Sequence, residues 1–326
     1  MGTRMYRTIY VPVDNSDYSN ASIDLALTLG KAFRSSLIGS HVYAAKLHDV
    51  RFKQMEFTLP DEYKEETELE KQRKIHDALI ARGLHLISDS YLDQMDARAK
   101  EAELSFERKH FDGKNFEAIV RDVNESGYDL VILGALGQGA VKDSLVGSVV
   151  ERLLRRTEVD TLVVRSLAQG PAATEPGTTK PAAIDGRIVV CLDGSPHSWA
   201  ALVTACRLAT HFEKAVDLLV VASTATPEDE GAREDAALLR AHLQVAERYA
   251  KAQGVETSCH LLESPGLSRE AIVVWVQATP PWLLVAGRCG SDANGTAPIG
   301  STTEHLLRHV PCNLLVSGRR VEPSGL

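Results

Sequence analysis

Val131-Ile132-Leu133-Gly134-Ala135-Leu136-Gly137 is followed by nine residues and then Gly147-Ser148; Leu284-Val285-Ala286-Gly287-Arg288-Cys289-Gly290 is followed by nine residues and then Gly300-Ser301. Each time a short apolar run suited to a buried parallel strand leads into a glycine pair, a loop of fixed length and a helix-like stretch. Glycine lets the backbone approach a ligand without a Cβ in the way. Successive N–H groups in such a loop form a concavity for anions, and a helix beginning at Ser148 or Ser301 adds unpaired N–H groups and the positive end of its dipole. Together these suit a polyphosphate. Ser148-Val149-Val150-Glu151 and Ser301-Thr302-Thr303-Glu304 also fit a helix capping box, a reading that accounts for the serines but not for the glycines upstream.

Working outward, the repeat extends to both ends of the chain. Tyr10-Val11-Pro12-Val13-Asp14-Asn15-Ser16 resembles Val189-Val190-Cys191-Leu192-Asp193-Gly194-Ser195, and Val42 matches Val221. Asp14 and Asp193 are 179 positions apart, whereas Gly113 and Gly266 are 153 apart, so the first copy carries 26 extra residues between Val42 and Gly113. These fall within Leu47 to Ile87, a charged, helix-prone stretch. Its glutamates mark a solvated face, and Ile75, Leu79 and Ile80 are expected to pack on the body. The Pro-, Gly-, Ala- and Thr-rich run from Ala168 to Pro181 reads as a linker. The expected division is a first domain over 1–166, a linker over 167–185 and a second domain over 186–320.

Within each copy, strand and helix signals alternate. Thr8 to Val13, Leu37 to Val42, Leu104 to His110, Leu130 to Leu133 and Thr161 to Val164 read as strands. Asp17 to Phe33 reads as a helix with Ala21, Leu25, Leu29 and Ala32 on one face; Asn115 to Asn124 and Ser148 to Arg155 are further helices. The second copy repeats the strands at Ile188 to Leu192, Val216 to Val221, Thr257 to Leu262, Leu283 to Ala286 and Asn313 to Val316. Repeated β-α-β units imply the α/β class, with two tandem Rossmann-like domains, each an open parallel sheet flanked by helices. Ligands of such sheets bind beyond the carboxyl ends of the strands.

Hydrophobic residues make up 44% and charged residues 25% of the 326, a globular balance. The net charge of -8 argues against a bulk electrostatic grip on nucleic acid or an acidic membrane. No stretch has the apolar length to span a bilayer, and the N-terminus shows no signal-peptide core; Tyr6 stands where a myristoylation motif needs Ser or Thr. A cytoplasmic protein is expected. The five cysteines lie in the second half with no C-x-x-C pair, and read as free thiols.

Asp14 and Asp193, ending the first strand of each copy, can accept hydrogen bonds from a ribose or base, or hold Mg beside phosphate; the alternative is a helix cap. The copies differ in charge. The first loop carries Lys142 against phosphate, whereas the second carries Asp292 and Pro298, with Arg288 as a compensating cation. His197 reads as a surface residue, and Cys289 as a small loop residue with a redox role left open. Gly113-Lys114 lacks the upstream glycine of a P-loop, and no nucleophile–base pair stands out.

Taken together, G-x2-G-x9-G-[ST], the strand-ending aspartate and the runs Thr161-Leu162-Val163-Val164-Arg165 and Val310-Pro311-Cys312-Asn313-Leu314-Leu315-Val316 resemble the ATP-binding subset of the universal stress protein family, in its tandem form. The resemblance covers nearly the whole chain except the linker and the insertion. It implies the adenine nucleotide alpha hydrolase-like fold, five strands per domain in the order 3-2-1-4-5, and pairing through the last strands, internal here, with a homodimer of chains left open. It implies ATP, or ADP or AMP, with Mg. Adenine and ribose would lie at Pro12, Val13, Asp14 and Val42, and phosphates at Gly134, Gly137, Gly147, Ser148 and Val149. In the second copy these become Leu192, Asp193, Val221, Gly287, Gly290, Gly300, Ser301 and Thr302. Asn15 stands where the family usually has Gly. The expected role is a nucleotide-dependent regulator in the stress response, acting through an unidentified protein partner; a slow ATPase or self-phosphorylating enzyme, and a nucleotide-free scaffold, remain open.

Overall fold

The computed structural model describes residues 5–45, 53–138, 144–165, 184–223, 230–290 and 298–322. Lys142, Asp292 and all of the linker but residues 184 and 185 lie outside them, as do residues 46–52 at the start of the insertion. The first half runs β1 (Thr8–Pro12), α1 (Asp17–Phe33), β2 (Ser36–Tyr43), α2 (Glu66–Glu101), β3 (Phe106–Asp112), α3 (Asn115–Ser126), β4 (Leu130–Gly134), α4 (Ser148–Arg156) and β5 (Asp160–Val164). The second runs β6 (Ile188–Cys191), α5 (Pro196–Phe212), β7 (Val216–Ser223), α6 (Glu230–Ala252), β8 (Thr257–Ser264), α7 (Ser268–Ala278), β9 (Leu283–Gly287), α8 (Ser301–His309) and β10 (Asn313–Ser317).

All ten strands form one sheet in the order β3-β2-β1-β4-β5-β10-β9-β6-β7-β8. Each half therefore has the order 3-2-1-4-5, parallel throughout, and the halves join where β10 pairs antiparallel with β5, Leu315 opposite Leu162. Val, Ile and Leu fill the central strands because both faces are covered. One apolar layer, with Ile9, Val11, Leu130, Ile188 and Leu283, lies under α1, α2, α5 and α6; the other, with Tyr10, Val131, Leu284 and Leu314, lies under α3, α4, α7 and α8. The edge strands β3 and β8 are mostly half-buried or exposed, and β3 carries Glu107, Arg108, Lys109 and His110, charges that discourage further strand addition.

Local signals set the helix ends in the same way twice. Ser16 caps α1 by accepting from the Ser19 N–H, and Ser195 caps α5 by accepting from the Ser198 N–H. The two helices end at Arg34 and Glu213, both left-handed at φ 53°. The cap expected of Asp14 and Asp193 thus belongs to serines two residues on, and the aspartates are left for other work.

The insertion departs from expectation. Helix α2 has 36 residues where its counterpart α6 has 23, a rod of about 54 Å. It overruns the sheet. Its C-terminal half buries Ser88, Leu92, Met95 and Ala99, whereas Ile75 and Leu79, expected to pack on the body, are exposed. The overhanging half buries Leu69 and is braced by charge, Arg73 holding Glu56 at 2.7 Å and Glu66 at 3.0 Å.

Asp160 closes the junction. It is 1% exposed; it accepts from the Tyr6 hydroxyl at 3.2 Å, the Ser317 hydroxyl at 3.2 Å and the Gly318 N–H at 3.0 Å, with the Arg319 guanidinium 3.4 Å away. Burial pushes its carboxyl above the usual range, opposed first by Arg319. Asp160→Ala leaves three buried donors without an acceptor and should cost about 3 kcal/mol in urea unfolding. Asp160→Asn keeps an acceptor for Ser317 and Gly318 and should cost less; equal losses would contradict this account.

Candidate functional site

Strand β1 ends where the neighbouring connections diverge, β2 to one side and β4 to the other. Asp14 lies at that switch point. Its Oδ1 accepts from the Ser16 N–H at 3.1 Å, and its Oδ2 from the Gln138 N–H at 2.9 Å. The carboxylate thereby ties the start of the glycine loop to the end of β1. The turn between them needs a left-handed residue. Asn15 supplies it at φ 59°, and Gly194 does so in the second copy at φ 80°.

The glycines are required by contact. A Cβ on Gly137 would sit 2.4 Å from Asp14 Oδ2, and one on Gly134 would sit 2.6 Å from Tyr18 Cβ. The Gly147 N–H is taken by the Ala135 carbonyl at 2.7 Å, so this glycine shapes the loop and offers no donor of its own.

Helix α4 begins differently from the capping-box expectation. Its cap is Gly147, extended at φ -73° and ψ 145°, with no side-chain hydrogen bond, and α8 is likewise capped by Gly300. Gly147 arrives extended because Ala135 holds it, which makes Ser148 the first helical residue. Glu151 does not reach back to the cap; it accepts from Arg308 at 2.8 Å, and Glu304 accepts from Arg155 at 2.5 Å. The Ser148, Val149 and Val150 N–H groups precede the first intrahelical bond, and the Ser148 hydroxyl caps nothing.

All nine positions expected in the first copy line one cavity of about 320 Å³: Pro12, Val13, Asp14, Val42, Gly134, Gly137, Gly147, Ser148 and Val149. That size falls in the range of small-molecule sites. Ser16, Ser19, Ser40, His41, Asn115, Ile119, Leu133, Leu136 and Val150 complete the wall. Of these, Ser40 and His41 directly precede Val42 on β2, and adjacency along the strand was the signal available for them. Burial lowers the His41 pKa, with Asp14 acting in the opposite direction, so its imidazole favours the neutral form. Neither Asp14 nor Asp193 belongs to a cluster of metal-ligating side chains among the described residues; Asp14 is a single carboxylate, with both oxygens already accepting from backbone amides.

The second copy repeats the frame. Asp193 Oδ1 accepts from the Ser195 N–H at 3.0 Å, and a Cβ on Gly290 would lie 2.7 Å from Asp193 Oδ2. Leu192, Asp193, Val221, Gly287, Gly290, Gly300, Ser301 and Thr302 occupy the equivalent places on β6, β7, β9 and α8 or the connections beside them. Arg288 does not compensate for the missing cation. It is 7% exposed and donates to the Thr157 carbonyl of the first half. His197 is no surface residue either: it is 6% exposed, and Arg320 Nε lies 3.3 Å from its Nε2. Burial and Arg320 lower its pKa. None of the five cysteines is in a disulfide, and burial pushes Cys191 up to about 12.

The model of the universal stress protein family matches residues 5–165 and 186–317. Over its whole length the chain is similar in fold to a universal stress protein from Archaeoglobus fulgidus DSM 4304, at 16% identity and a TM-score of 0.64, covering 98% of this chain and 99% of that one. A functionally unknown protein from Pseudomonas aeruginosa PAO1 aligns at 15% identity and a TM-score of 0.57, over 95% and 92%. A universal stress protein in complex with cAMP aligns at 22% identity and a TM-score of 0.32, over 49% of this chain and 96% of that one. Among curated proteins none is significantly similar in sequence.

The contact between Asp14 and Gly137 can be tested as a coupled pair. Gly137→Ala should cost about 1–3 kcal/mol through overpacking. In an Asp14→Ala background the same change should cost less, because the clashing oxygen is gone. Urea unfolding of the four proteins gives the coupling, and strict additivity would refute the contact.

Proposed function

Because the chain belongs to the universal stress protein family, we propose that it binds an adenine nucleotide, ATP foremost, with ADP and AMP as weaker ligands, in the cavity at the end of β1. The phosphates lie against the Ser148, Val149 and Val150 N–H groups and the Ser148 hydroxyl, where donors and helix dipole favour negative charge. Asp14 accepts from the ribose, and Pro12, Val13 and Val42 line the base. Mg, when present, arrives with the polyphosphate, Asp14 serving at most as one ligand.

The observation that carries this reading is the start of α4. Its first residues, with a serine that caps nothing, line the same cavity as the fixed carboxylate of Asp14. The second copy has the frame, but Arg288 beside its first glycine faces the domain junction, and on this reading high-affinity occupancy is one nucleotide per chain. We take 1–166 and 186–320 as the two domains, joined by 167–185. No described helix is long and apolar enough to cross a membrane. A cytoplasmic regulator whose partner contacts change with bound nucleotide fits these features.

The test is calorimetric titration of nucleotide-stripped chain with ATP, ADP, AMP and cAMP, with and without Mg. We expect about one equivalent of ATP per chain. Ser148→Ala should bind about tenfold more weakly, the loss of one charge-assisted hydrogen bond. Absence of heat with every nucleotide would leave the fold without this function. Phosphate release that disappears in Gly147→Val would add hydrolysis to binding.

A further inference from the structure

Helix α2 carries His85 and Asp89 at i and i+4, on one face, and β3 beneath it carries His110. His85 Nδ1 lies 3.0 Å from Asp89 Oδ2, and His110 Nε2 lies 3.0 Å from Asp89 Oδ1. The imidazoles stack, with centroids 4.5 Å apart and planes at 22°. One ligand atom from each of the three residues lies within 4.8 Å of the other two. We propose that His85, Asp89 and His110 bind a divalent transition-metal ion of the zinc class, which fastens the insertion helix to the edge of the sheet.

Two imidazole nitrogens and one carboxylate oxygen suit zinc and its neighbours, whereas Mg and Ca prefer all-oxygen sets. Metal–ligand bonds of about 2.0–2.2 Å in a tetrahedron place the donor atoms about 3.3–3.6 Å apart. Asp89 offers one oxygen at 3.0 Å to each ring, Oδ2 to His85 and Oδ1 to His110, so small side-chain shifts bring the three donors onto one ion. The His85 side chain is 49% exposed, and the open side leaves the fourth position to water.

The surroundings hold this set in place. His41 is the register partner of His110, and its Nδ1 lies 2.7 Å from the Oγ of Ser88, a buried residue of α2 next to Asp89. That contact sets the helix over the strand pair. The fold does not need these residues for its own sake. Where the first half pairs His41 with His110, the second pairs Val220 with Leu261 and builds the same sheet edge.

The test uses the full chain, cleared of metal by chelation and titrated calorimetrically with zinc chloride. Zinc should bind one ion per chain and raise the thermal midpoint, as any ligand of the native state must. His85→Ala and Asp89→Ala should each weaken binding by at least about tenfold, the loss that even outer-shell partners produce, and should abolish the thermal shift. His110→Leu, the residue type of the second half, should fold and bind no zinc. Replacing the other stacked histidine pair, His305 and His309 on α8, should leave binding unchanged. No saturable binding, or binding that survives His85→Ala, overturns the proposal and leaves a histidine–aspartate ion network.

Discussion

The antiparallel pairing of β5 with β10 is the interaction on which the molecule depends. Both strands are buried at every residue. Either half alone would expose a bare apolar edge, the kind of surface that recruits other chains. Pairing the two removes both edges at once and leaves only β3 and β8, with their more exposed side chains, at the margins. It also brings α4 and α8 side by side, where Arg155, Glu151, Glu304 and Arg308 interlock across the junction.

At that junction the two similar sequences part. Duplication kept the aspartate, the glycine pair and the Gly-Ser helix start in each copy. The residue after the first glycine then diverged: Ala135 in one half, Arg288 in the other. Arg288 is turned into the interface to satisfy a backbone carbonyl, so its charge serves assembly of the two halves. Insertion acted on the opposite side of the sheet, lengthening α2 beyond what β2 and β3 can cover.

Much of this was legible in the chain. Short apolar runs marked nearly every strand, helical spacing of apolar residues marked α1, and the repeat gave the second domain from the first. The lining of the cavity was legible because its parts are glycines with a contact reason and an acid at a strand end. Other features were not. The place of Ser148 inside α4 depends on a hydrogen bond from Gly147 to Ala135, which a capping-box pattern does not register. The exposure of Ile75 and Leu79 follows from strand length, not from periodicity. The meeting of His85 and Asp89 with His110 needs β3 beneath α2, a tertiary fact with no local mark.

Antiparallel joining also fixes direction. Strands of one half run opposite to those of the other, so their carboxyl ends emerge from opposite rims of the common sheet. The two glycine loops consequently look away from each other. Anything docked over one rim leaves the far one untouched, and communication between them must travel through the strands and the paired helices.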